Sequence, residues 1–238
     1  MIWLGIAYFV MLSDSKQKIA LMIGFLPYVT LIFITIFFSN LIFRAKAMGN
    51  MILLSEQQLP HIYKFVAEGS QKFGIPEPQA FIYNSNGFLN AFARKTFGRD
   101  YLLLTSAIVD ATSEQQIKFI VGHELAHHAA GHLDFFGFWL RLPARVIPFL
   151  HSAYLRQCEL TCDKLGLAYS KDLESSLSAI SVLGCGCHSL HDKINLTSFT
   201  EQEKNVPPFS GWLLEIFSSH PRLTKRVISL NNSIFRDE

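Results

Sequence analysis

The distribution of hydrophobic and polar positions divides this chain near its start. Ile19–Phe43, IALMIGFLPYVTLIFITIFFSNLIF, runs 25 residues without a charge. As a helix rising about 1.5 Å per residue, it exceeds the ~30 Å hydrocarbon core of a bilayer, so the pattern predicts a membrane-spanning helix. Met1–Leu12, MIWLGIAYFVML, is apolar but short. It has neither the basic start of a signal peptide nor an A-x-A-like cleavage site, and reads as a retained short first span over 2–12 or an interfacial stub. Lys16 and Lys18 flank one end of the long span and Arg44 and Lys46 the other, so positive charge does not orient it.

Past the span the periodicity changes. Ser55–Phe73 places Leu59, Ile62, Tyr63, Phe65 and Val66 on a helical stripe, which GIPEP then breaks. QAFIYNS predicts a strand, NGFLNAFA an extended or turning continuation, RKTFGRD a turn and YLLLTSAIV a second strand. Asp110–Leu133 predicts a helix, opened by a capping box of Thr112 and Gln115. The remainder reads as helical, interrupted near Pro143, Pro148 and VPPFSG. Phe135–Tyr154 is apolar and aromatic but carries Arg141 and Arg145. Spanning a bilayer would cost roughly 2.5–3.5 kcal/mol per arginine at its centre. A helix at the membrane surface or packed on the core is expected, its arginines reaching for water. The expected division is a membrane anchor over 1–46 and a compact domain over 47–238.

Composition adjusts this picture little. Charged residues are 17% of the chain, against about 25% in an average soluble domain, and the deficit is concentrated in the apolar span. A net charge of +2 without a basic stripe predicts no nucleic-acid partner. Cys158 and Cys162 share a helix face, and Cys185-Gly-Cys187 is too tight for an ordinary bridge. Neither spacing is the C-x2-C of a zinc site. Free thiols favour a reducing compartment, and so a cytoplasmic domain.

The chemistry concentrates in Val121–His132, VGHELAHHAAGH. On a helix His123 and His127 fall about 40° apart, with Glu124 beside them. This is H-E-x-x-H, in which two imidazoles bind zinc and the glutamate serves as base. Chance yields only about 0.015 such matches at this composition. On a continuing helix His128 and His132 point about 140° and 180° away, as polar residues of the opposite face. A third ligand is needed, and Glu159 and Asp163, four apart on a predicted helix, offer a carboxylate to close the site and a second to orient an imidazole.

VGHELAHHAAGH followed by ELTCD resembles the HtpX-like membrane zinc metalloproteases, relatives of the CAAX prenyl proteases. GIPEPQAFIYNSNGFLNAFA is similar to that family's G-I-P…N-A-F-A segment, and SSHPRLTKR to its S-T-H-P-x4-R element. The resemblance implies an α+β, mostly helical fold: a zincin-like metallopeptidase domain with a small β-sheet or hairpin, preceded by a transmembrane helix. It implies one Zn²⁺ held by His123, His127 and Glu159, with Glu124 as base and Asp163 supporting a ligand. By the same resemblance His220 stabilises the oxyanion, Arg226 holds its loop or the substrate, and Asn90, Ala91, Phe92 and Ala93 pair with extended substrate. Polypeptide substrates are implied, membrane or misfolded proteins at a bacterial inner membrane, with the lipid bilayer as the other partner. The chain departs from the pattern at Cys162, where alanine is usual, at Arg156, three residues before Glu159, and in having few spans. A zinc-stabilised scaffold or chaperone adaptor and a CAAX-type processing protease are the alternatives. Glu124 argues against the first, because a structural site has no need of a base.

Overall fold

The structure is a computed structural model that describes residue 11, residues 14–96, 98–145, 147–187, residue 190 and residues 193–233. Apart from Met11, the expected short first span lies outside the described residues. The chain divides into two compact units, Met1–Gly49 and Asn50–Glu238. In the first, α1 (Ser15–Asn50) is a single 36-residue helix that runs through Pro27. It opens on Asp14, whose carboxylate accepts from the Gln17 amide at 2.7 Å. Phe25, Phe37, Phe38 and Ile42 project outward from it. Among the described residues it is the one helix long and apolar enough to cross a membrane.

The second unit combines a four-stranded sheet with helices. Its elements begin β1 (Ile52–Leu53), α2 (Pro60–Phe73), β2 (Gln79–Tyr83), β3 (Ala91–Thr96), β4 (Arg99–Thr105), α3 (Ser106–Ala111) and α4 (Glu114–Ala129). They continue α5 (Phe135–Arg145), α6 (Pro148–Ser170), α7 (Leu173–Cys185), α8 (Leu196–Glu201), a 3-10 turn (Gln202–Asn205), α9 (Pro208–Phe217) and α10 (Leu223–Asn231). The strand order is β1-β2-β4-β3, with β2 and β4 parallel and β3 antiparallel on β4. Tyr101–Thr105 of β4 is buried at every position, as a central strand covered on both faces requires. Leu102, Leu104, Ala80 and Ile82 pack with Ile62 and Val66 of α2 and Ile117, Val121 and Leu125 of α4 in one core. β3 is left at the sheet edge, facing α4.

The structure corrects three local expectations. Strand β4 stops at Thr105, because the Thr105 hydroxyl caps the Ile108 amide at 3.1 Å and starts α3. The capping box of α4 is Ser113 with Gln116, not Thr112 with Gln115. The Thr112 hydroxyl is already committed to the Ile108 carbonyl at 2.6 Å. Phe135–Tyr154 is two helices, with Pro148 in the first turn of the second. Arg145 is exposed, as expected, and Arg141 is half-buried, yet each also lies over an aromatic ring. Arg145 lies 4.2 Å from the Phe138 ring centre and Arg141 5.1 Å from that of Tyr154.

What positions the site is the close contact of α4 with α6. A Cβ on Gly166 would stand 3.1 Å from both the His123 nitrogen and the Phe119 oxygen, and one on Gly122 would meet the Tyr169 ring at 2.7 Å. Two glycines at one level let the backbones approach, and this sets Glu159 and Asp163 against His123 and His127. Gly166→Ala is therefore expected to lower the unfolding free energy by about 1–3 kcal/mol through overpacking. Chemical denaturation of the full chain in detergent measures this, and an unchanged midpoint would show that the helices have room.

Candidate metal and active site

Glu159 of α6 lies between three imidazoles. Its Oε2 is 3.7 Å from His123 Nε2 and 3.4 Å from His220 Nδ1, and its Oε1 is 3.4 Å from His127 Nε2. One turn on, Asp163 Oδ1 lies 2.9 Å from His123 Nδ1 in a bent, charge-assisted contact. Asp163 is itself gripped bidentately by Arg226 of α10, with Nε donating at 2.8 Å and Nη2 at 2.6 Å. Arg226 Nη1 stands 3.6 Å from Glu159. His123, Glu124, Glu159, Asp163 and Arg226 are buried, while the His220 side chain is largely exposed.

The electrostatics favour a cation at the imidazoles. Burial opposes the charged form of Glu159, but hydrogen bonds from His123, His127 and His220 outweigh it and hold the carboxyl far below the usual range. Burial also opposes protonation of His123, yet Asp163 and Glu159 raise it to about 9. Positive charge at His123 Nε2, as proton or as metal, is thus stabilised. One donor atom each from His123, His127 and Glu159 falls within a 4.8 Å cluster. Two imidazoles and a carboxylate, one imidazole backed by Asp163, fit a divalent metal of the zinc type.

Glu124 sits beside this set. Burial raises its carboxyl above the ordinary value, opposed by His123, His127 and a hydrogen bond from the Ala93 backbone. That bond ties α4 to the edge strand. Asn90 and Thr105 exchange a narrow pair of contacts, the Thr105 amide donating to the Asn90 carbonyl at 3.0 Å. In an antiparallel ladder the alternate residues Ala91 and Ala93 then turn their backbone groups to the free edge. A cavity of about 470 Å³ opens there. Asn90–Ala93 form one wall, His123, Glu124, His127, Glu159, His220 and Arg226 the floor, and Ile180, Leu183 and Leu223 an apolar flank.

One placement differs from the expectation. His132 does not face away from the site, because α4 ends before reaching it. Gly131 takes φ +66°, its amide donating to the His128 carbonyl and the His132 amide to that of His127. This is a Schellman reversal, signalled in the sequence by Gly131. It returns His132 Nδ1 to 3.2 Å from His127 Nδ1, with Cys162 Sγ 3.5 Å from the same His132 nitrogen. His128 does face away, its Nε2 3.1 Å from the Tyr101 carbonyl. The sequence pattern assigns Arg156 no role. It donates to the carbonyls of Glu215 and Ser218, the latter at 3.0 Å, and so pins the end of α9 that leads to His220. No spacing rule points to that contact.

Residues 54–136, which include the H-E-x-x-H pair, match the model of Peptidase family M48. The plastoglobule-localized metallopeptidase 48 of Arabidopsis thaliana chloroplasts is 23% identical over 190 residues, covering 70% of this chain and 53% of that protein. A protease HtpX homolog of Thermodesulfovibrio yellowstonii is 32% identical over 96 residues, 40% of this chain and 33% of its own. Another, of Acidovorax ebreus, is 23% identical over 208 residues, 72% and 70% of the two chains. Ste24p of S. mikatae shares the fold, with a TM-score of 0.57 at 16% identity over 85% of this chain and 56% of that one. The chain thus spans about half the length of the plastoglobule relative and of Ste24p. The fold is like that of Ste24p, and residues 54–136 are similar in sequence to Peptidase family M48. The similarity to the protease HtpX homologs includes the segment that carries the H-E-x-x-H motif.

Proposed function

We propose that this chain is a membrane-anchored zinc endopeptidase, anchored by residues 1–46 and catalytic over 47–238. The observation that carries the reading is Glu124 held between a two-imidazole, one-carboxylate donor set and the open edge of β3. Zn²⁺ bound by His123, His127 and Glu159, one ion per chain, supplies Lewis acidity to water and to the scissile carbonyl. Glu124 takes a proton from the attacking water onto its carboxylate and passes it to the leaving amine nitrogen. Burial raises its affinity for protons, which favours its holding the proton between the two transfers. Asp163 fixes the His123 ring, and Arg226 fixes Asp163. His220, at the exposed rim of the cavity, donates to the oxyanion.

Substrate adds to the edge of β3 through Asn90–Ala93, so its backbone is read more than its side chains. Loose preference of that kind suits misfolded or membrane polypeptides, in quality control at a bacterial inner membrane with the domain in the cytoplasm. The exposed Phe209, Trp212, Leu213 and Phe217 of α9 support contact with a lipid surface. The test is zinc content together with casein cleavage by the purified full chain in detergent. A zinc-loaded chain that cleaves nothing would favour a scaffold instead. His220→Ala is expected to lower kcat by about 10²–10³-fold while zinc content holds, because it touches the oxyanion and not the ion. Unchanged kcat would remove His220 from this role.

A further inference from the structure

His127 presents a second ring nitrogen on the side away from the peptidase site. One donor atom each from His127, His132 and Cys162 falls within 4.8 Å, in a cluster separate from the His123–Glu159 pair. Hydrogen bonding does not use all three. His132 Nδ1 carries either one lone pair or one proton, so it serves His127 or Cys162 but not both. A cation serves the three together. Around a tetrahedral ion with bonds of about 2.0–2.1 Å to nitrogen and 2.3 Å to sulfur, ligand atoms stand roughly 3.3–3.6 Å apart. The N–N and S–N separations here are 3.2 and 3.5 Å. Cys162 is fully buried on α6, and Arg141 donates to the His132 carbonyl at 3.2 Å, holding the reversal in place.

We propose that His127 Nδ1, His132 Nδ1 and Cys162 Sγ form a second metal site, selective for soft cations such as Cu(I) or Cd(II), whose filling withdraws His127 from the peptidase site. Thiolate with two imidazoles selects that class of ion. The withdrawal follows from the ring itself. A neutral imidazole has one lone pair, so an ion on Nδ1 leaves a proton on Nε2, which faces Glu159 at 3.4 Å. The two sites compete for one side chain, and the soft-metal site is inhibitory. The inhibition rests on the peptidase reading above; the binding does not. Cys162 supplies the thiolate of the cluster, and without it two imidazole nitrogens remain.

The experiment is a cadmium titration of the metal-free full chain in detergent, followed by thiolate-to-cadmium charge-transfer absorption. The wild type should show a saturable step that Cys162→Ala and Cys162→Ser both lose and His132→Ala weakens. Steps from Cys158, Cys185 and Cys187 remain in all and cancel in the difference. Circular dichroism melts of each variant, run alongside, establish that the chain is folded. Superimposable titrations of folded wild type and Cys162→Ala overturn the site. In the zinc-loaded chain, the cadmium concentration that halves casein cleavage should rise at least about tenfold in Cys162→Ala, matching the lower limit of the 10–100-fold loss in affinity that even a supporting-residue change brings. Equal midpoints overturn the competition. A chain with the charge-transfer step but no cleavage with zinc retains this site and loses the peptidase reading.

Discussion

Glu124→Gln is expected to lower peptide hydrolysis by about 10²–10⁴-fold while leaving bound zinc at the wild-type level. The substitution keeps the shape and the contact with the Ala93 backbone but removes the group that accepts a proton. The proposed donor atoms for the ion, from His123, His127 and Glu159, are not touched by the change. Glu159→Gln should do the reverse, weakening zinc binding itself, because a neutral amide replaces the one anionic ligand facing three imidazoles. Zinc content by mass spectrometry, set beside initial rates on casein, separates the two. Full-rate cleavage by zinc-loaded Glu124→Gln would end the assignment of Glu124 as base.

The placement of these residues is legible in the sequence because it depends on short-range helical geometry. His123, Glu124 and His127 are related by one turn of α4, as are Glu159 and Asp163 by one turn of α6. The four-residue spacing alone dictates a shared face. Periodicity likewise suffices for α1, whose apolar run exceeds a bilayer. It fails where the chain leaves a regular element. His132 falls on the far face only if the helix continues, and Gly131 ends the helix one residue earlier. Ser106–Val109 reads as strand because apolar residues without a clear period do not distinguish strand from a short helix, and the Thr105 cap decides it. Long-range contacts leave no trace in spacing at all. The reach of Arg156 to the α9 terminus spans about sixty residues, and the glycine contact of α4 with α6 emerges only when both helices are in place.

Arg226→Leu is expected to destabilise the chain by about 3–5 kcal/mol, the cost of stranding one member of a buried ion pair. Asp163 is almost wholly buried and receives both Arg226 donors. Burial works to keep its carboxyl protonated, but Arg226, with help from His123, holds it below the ordinary carboxylate range. A carboxyl depressed in the folded state contributes stability above its unfolded value near 3.9, and that contribution is lost as pH falls through the folded value. At neutral pH the contribution is fully present, so denaturation at pH 7 should register the whole penalty. Without the guanidinium, the same carboxylate keeps its 2.9 Å contact with His123 but loses both Arg226 donors. Asp163→Asn combined with Arg226→Leu should recover part of the loss, because the Asp163 carboxylate is then no longer stranded without its guanidinium. The double variant should still bind zinc about 10–100-fold more weakly, since the His123 ring has lost the carboxylate that orients it. Stability and metal affinity therefore separate in this pair. Recovery of both together would mean that Asp163 serves the fold and not the ligand, whereas recovery of stability alone assigns it to the ring of His123.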